Sequence, residues 1–127
     1  MNAYTAMKQY QTVNVNAQVS EADPHRLIQM LMEGGLQRIA QAKGAMQFGN
    51  IPLKGELIGK AIAIVGGLQD SLDLKKGGEV AANLNDLYQF MQQRLSQANL
   101  NNDPAMLDEV AKLLREIKEG WDGIRQS

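Results

Sequence analysis

From position 24 onward, apolar residues recur at spacings of three and four in four blocks, separated by turn-forming residues. Leu27, Ile28, Leu31, Gly35, Ile39, Ala42 and Met46 predict a helix over 24–48. Asp23 stands where a side chain can accept from the first free amides, and Pro24 suits the first helical position. Gly49, Asn50 and Pro52 break the pattern. Leu57, Ile58, Ala61, Ile62, Val65, Leu68 and Leu72 predict a second helix over 52–75, with Gly77-Gly78 as its stop. Val80, Leu84, Leu87, Tyr88, Met91, Leu95 and Ala98 predict a third over 79–99. Asp103-Pro104 repeats the opening device, and Met106, Val110, Leu113, Leu114, Ile117, Trp121 and Ile124 form a fourth stripe over 104–125. Helices of about 20 residues span roughly 30 Å, and short connections make consecutive ones antiparallel neighbours. The expected fold is all-α: an antiparallel up-down-up-down four-helix bundle over 21–127.

Residues 1–20 follow a different pattern. Val13, Val15, Ala17 and Val19 alternate with polar residues, as in a strand, but no second strand is there to pair with. Tyr4, Met7, Tyr10 and Val13 recur every three residues. This stretch reads as a mobile or docked N-terminal arm outside the bundle.

Composition narrows the function classes. The 127 residues make one domain, and 13 basic against 14 acidic residues leave a net charge of −1, which does not favour a nucleic-acid binder. There is no cysteine, so disulfides and thiolate metal sites are excluded and a cytoplasmic location is natural. No apolar run approaches the roughly 18 residues of a membrane span, and the N-terminus lacks the charged and apolar regions of a secretory signal. Seven methionines and few aromatics suit helix packing better than sheet packing.

Little in the chain does chemistry. Di-metal helical bundles need Glu-x-x-His pairs, and this chain has one histidine and no such pair. That histidine, His25, lies in the first turn of the first helix and reads as a surface or capping residue. A histidine phosphotransfer bundle is the sharper alternative. No catalytic residue, metal or cofactor is expected. What remains is surplus apolar surface. At 100° per residue, Met32 and Leu36 extend the first stripe to one side, Met30 falls nearly opposite, Ile62 sits at the edge of the second, and Phe90 lies about 110° off the third. These five are the candidate partner-binding residues, in grooves suited to an amphipathic partner. Scattered surface hydrophobes, or packing under the arm, explain the same pattern.

Longer stretches resemble the flagellar secretion chaperone family, FliS. The likeness rests on Asp23-Pro24-His25-Arg26-Leu27-Ile28-Gln29-Met30-Leu31, Lys60-Ala61-Ile62 with Leu72-Asp73, and Gly77-Gly78-Glu79-Val80-Ala81. Asn83-Leu84, Leu87-Tyr88, Ala98-Asn99, Asp103 and Trp121 complete it, in order along nearly the whole chain. The resemblance implies a bundle that binds the disordered C-terminal segment of flagellin in the cytoplasm, blocks its premature polymerisation and helps present it to the export gate. The family's arm carries an apolar residue and a tyrosine three apart, places that Met7 and Tyr10 occupy here; they are the candidate contact with an export-gate component, the alternative being that they dock over a groove of the bundle. Weak self-association without client is a further expectation. A module for another amphipathic helix, or a purely structural bundle, would show the same periodicities.

Overall fold

The structure, a computed structural model, describes residues 23–124. Four helices follow one another: α1, Pro24–Gln47; α2, Ile51–Asp70; α3, Leu74–Asn101; and α4, Pro104–Asp122. Each begins on a side chain that takes a free amide. Asp23 accepts from Arg26 N, Asn50 from Leu53 N, Asp73 from Lys75 N and Lys76 N, and Asp103 from Ala105 N. Proline occupies the first turn of α1, α2 and α4, where its missing N–H costs no hydrogen bond.

Each helix packs on its sequence neighbours and α1 closes on α4. Cross-helix contacts fix the directions. The start of α1 meets the end of α4 through His25 and Trp121, while its end meets the start of α4 through Lys43 and Asp108 at 2.9 Å. Early α2 reaches late α3 through Lys54, and late α2 reaches early α3 through Gln69 and Asn85. Arg94 and Glu109 tie late α3 to early α4. The bundle is therefore antiparallel throughout. Its centre is filled by Leu31, Met32 and Ile39 of α1, Ile58, Val65 and Leu68 of α2, Met91 and Leu95 of α3, and Leu107, Val110 and Leu114 of α4. Gly35 lets α1 approach two neighbours at once: a methyl group there would stand 3.1 Å from Leu114 Cδ2 and 3.4 Å from Ile64 Cγ2.

The α2–α3 junction departs from the sequence reading. The apolar pattern runs on through Leu72, but α2 stops at Asp70. Ser71 Oγ donates to Leu68 O at 2.6 Å, and Asp73 caps a new start two residues later. Gly77-Gly78 does not end α2. Gly78 lies inside α3 with φ 56° and ψ −131°, a left-handed kink that glycine adopts without a Cβ penalty. The kink resets the face of α3, so Val80, expected in the core, is 69% exposed and Ala81 is buried instead. In α4, Leu107 is fully buried where the sequence pattern favoured Met106, which is only half-buried.

Lys54 is the one charged side chain buried among the described residues. Its ammonium donates to Asn99 O at 3.0 Å and to Asn102 Oδ1 at 3.2 Å, capping the end of α3, where Asn102 is left-handed. Lys54→Met keeps the apolar stem but leaves both acceptors without their donor. The expected cost is about 1–3 kcal/mol of unfolding free energy, read as a lower urea midpoint. An unchanged midpoint would show that water replaces the ammonium at no cost.

Candidate functional site

The early end of α1, the 71–73 connection, the kinked start of α3 and the last turns of α4 meet at one end of the bundle. They do not close over one another. Between them lies a cavity of about 620 Å³. Ile28 and Met32 of α1 line it, with Leu72 from the connection and Ala81, Leu84 and Tyr88 from α3. Ile117 and Trp121 form the α4 side, and Val80 and Ile124, both largely exposed, also line it. The kink makes this arrangement possible. It brings a small residue, Ala81, to the position where a continuous stripe would have placed valine.

His25 and Trp121 hold one side of the cavity. The imidazole and indole rings stack with centroids 4.8 Å apart and planes 12° from parallel. His25 Nε2 lies 2.7 Å from Trp121 O, and because a carbonyl only accepts, Nε2 carries the proton. Trp121 Nε1 donates back to His25 O at 2.9 Å. The expectation that His25 is a surface or capping residue is therefore corrected: it is a half-buried joint between α1 and α4. A phosphoacceptor needs an exposed ring nitrogen on an open helix face, and here Nε2 is engaged and the ring face covered.

The joint makes His25→Ala a structural substitution. Losing the stacked pair and one hydrogen bond is expected to lower stability by about 1–3 kcal/mol. The accompanying readout is a shift in Trp121 fluorescence as the indole becomes wetter. Unchanged emission and stability would mean that the joint contributes nothing.

The remaining polar groups are simply placed. Burial pushes the Tyr88 phenol up to about 12, so it stays protonated at neutral pH. Next to the joint, Asp122 accepts from Lys118 Nζ and Gln29 Nε2, each at 2.7 Å. Those hydrogen bonds, that from Lys118 foremost, hold its carboxyl below the usual 3.8. A lowered folded pKa contributes stability that is present above the unfolded value and lost as pH falls through the folded one. The Asp122 tie is therefore expected to persist down to pH 3.8 and to release below it, with the Gln29 side-chain amide resonance as the reporter. A midpoint at or above 3.8 would mean the contact does not persist in solution.

Of the candidate partner-binding residues, the cavity takes in one, Met32, which is buried at 1% exposure and not on the surface. Leu36 and Ile62 are half-buried against the core, and Met30 is half-buried outside the core packing. Phe90 is 37% exposed, with the Arg94 guanidinium 5.7 Å from its ring centroid. Met7 and Tyr10 fall outside the described residues. The spacing of Leu84, Tyr88, Ile117 and Trp121 places them in core stripes. The one signal that could have placed them on a cavity is Gly77-Gly78, which marks where α3 changes face. No described helix is long and apolar enough to cross a membrane.

An apolar cavity left open at one end of a helical bundle has the concave, mostly apolar character of a binding site. Comparison with known proteins makes the assignment specific. Residues 6–127 match the family model for the flagellar protein FliS. The chain is 61% identical over 124 residues to flagellar secretion chaperone FliSB of Pseudomonas aeruginosa, covering 98% of both chains. It is 49% identical to flagellar secretion chaperone FliS of Vibrio cholerae, over 94% of this chain and 88% of that one. The figure for the Salmonella typhimurium FliS is 44%, over 95% and 92%. This chain belongs to the FliS family of flagellar secretion chaperones.

Proposed function

We propose that this chain is a cytoplasmic export chaperone for flagellin: it binds the disordered C-terminal segment, prevents premature polymerisation and helps deliver the client to the export gate. Family membership names the process, and the apolar cavity carries the molecular reading. A soluble bundle gains nothing in stability from leaving Leu84, Ile117 and Trp121 beside open volume, whereas a client side chain entering it would remove apolar surface from water. The client orders as short helices, with the cavity as its anchoring point. Met30, Leu36, Ile62 and Phe90 serve as secondary contacts where the segment runs on along the bundle. Met7 and Tyr10 of the arm contact the export-gate component.

Calorimetry with a flagellin C-terminal peptide tests this. Coupled folding and binding buries on the order of 1,000–3,000 Å² and gives a negative heat-capacity change. Binding with a heat-capacity change near zero, or no binding at micromolar concentrations, overturns the reading. Equal binding of any amphipathic helix would leave a general helix-binding module in its place.

A further inference from the structure

The cavity is apolar within, but its lining is not electrically neutral. Among the described residues, Asp73 and Glu116 are the only carboxylates that line it, and neither Lys nor Arg does. The two approach from different sides, Asp73 from the α2–α3 connection and Glu116 from α4. Lys75 and Lys76 follow Asp73 closely in sequence, yet neither lines the cavity. Asp73 receives both of its amide hydrogen bonds on Oδ1, so Oδ2 has no partner among the described residues. Glu116 forms no ion pair among them either, although Lys118 nearby pairs with Asp122 at 2.7 Å.

A segment that seats in this cavity brings apolar side chains into contact with the floor and its flanking residues into contact with these carboxylates. A flanking acid would meet like charge on two sides, and a flanking base would meet opposite charge. We propose that the cavity selects an amphipathic segment that carries Lys or Arg beside its apolar anchor, with Glu116 and Asp73 as the groups that read the positive charge. This rests on the cavity being the client site and adds the chemistry by which that site discriminates. Glu116 is the stronger determinant, because Asp73 is also committed to capping α3. Rim charges of this kind act on association rate and specificity more than on total affinity, so the discrimination is modest and sensitive to salt.

Two synthetic peptides with the same leucine-bearing face test it, one carrying Arg and the other Glu next to the leucines. Titration calorimetry against the wild-type chain is expected to give about three- to tenfold tighter binding of the Arg peptide at low ionic strength, with the difference shrinking in salt. Glu116→Gln is expected to reduce that preference, and Glu116→Lys to remove or reverse it. Glu116 is solvent-exposed, so both variants should fold, which a melting curve checks. Equal binding of the two peptides to the wild type, or a preference unaltered in Glu116→Lys, overturns the charge reading and leaves the cavity as the client site. Binding of neither peptide overturns the cavity as the client site, and the charge reading with it.

Discussion

Replacing Leu84 by aspartate is expected to weaken binding of a flagellin C-terminal peptide by more than about a hundredfold, a loss of roughly 2.7 kcal/mol or more. Leu84 lines the cavity on the kinked helix and is half-buried before any client arrives. Removing its apolar contact with a client side chain costs about 1.5–3 kcal/mol, and desolvating a carboxylate there adds to it. Because Leu84 also packs against the core, the variant is to be compared with Val80→Trp. Val80 is 69% exposed where it lines the cavity, so a large ring there can obstruct the opening without disturbing the core. Binding is expected to fall in both variants, with the melting temperature of Val80→Trp within a few degrees of the parent. Full binding by a folded Val80→Trp would place the client elsewhere on the bundle.

How much of this was legible depended on whether the information was local. Asp23-Pro24 and Asp103-Pro104 announce helix starts because a cap and a proline act within one turn, and α1 and α4 begin there. The seam Tyr88, Met91, Leu95 and Ala98 is buried as its spacing predicts. The α2–α3 junction was not legible, because several local signals compete within eight residues. Leu72 continues the apolar pattern, Ser71 and Asp73 each offer a side-chain oxygen to the backbone, and two glycines follow. Which of these wins is settled by packing at the end of the bundle. The cavity depends on that outcome, so its members looked like ordinary core residues. The His25–Trp121 joint joins residues 96 apart in sequence, and no periodicity relates them. The off-stripe criterion picks out Met32, which lines the cavity yet is buried at 1% exposure. The helical wheel places it beside the stripe, but α1 packs on both α2 and α4, so its buried face is wider than one stripe.

Deleting residues 2–15 is expected to abolish flagellin secretion while leaving client binding equal or tighter by up to about tenfold, on the proposal that the arm both competes for the groove and serves the export gate. The argument starts from where the arm joins the bundle. Pro24 lines the cavity, so the start of α1 lies at its edge. Tyr4, Met7, Tyr10 and Val13 supply apolar groups at a spacing of three, which in a helical turn would bring neighbours such as Met7 and Tyr10 to one side. Burying one such side chain gives about 1.5–3 kcal/mol before the cost of ordering the arm, so its hold is weak enough for a client to displace. On this proposal displacement would then present Met7 and Tyr10 to the export-gate component, covered first and presented second. If the arm shields the cavity, the truncated chain is also expected to self-associate more strongly when free of client, and sedimentation velocity reads this directly. Client binding weakened more than tenfold would make the arm part of the client site and end the shielding idea. Normal secretion by the truncated chain would remove the export-gate role from Met7 and Tyr10.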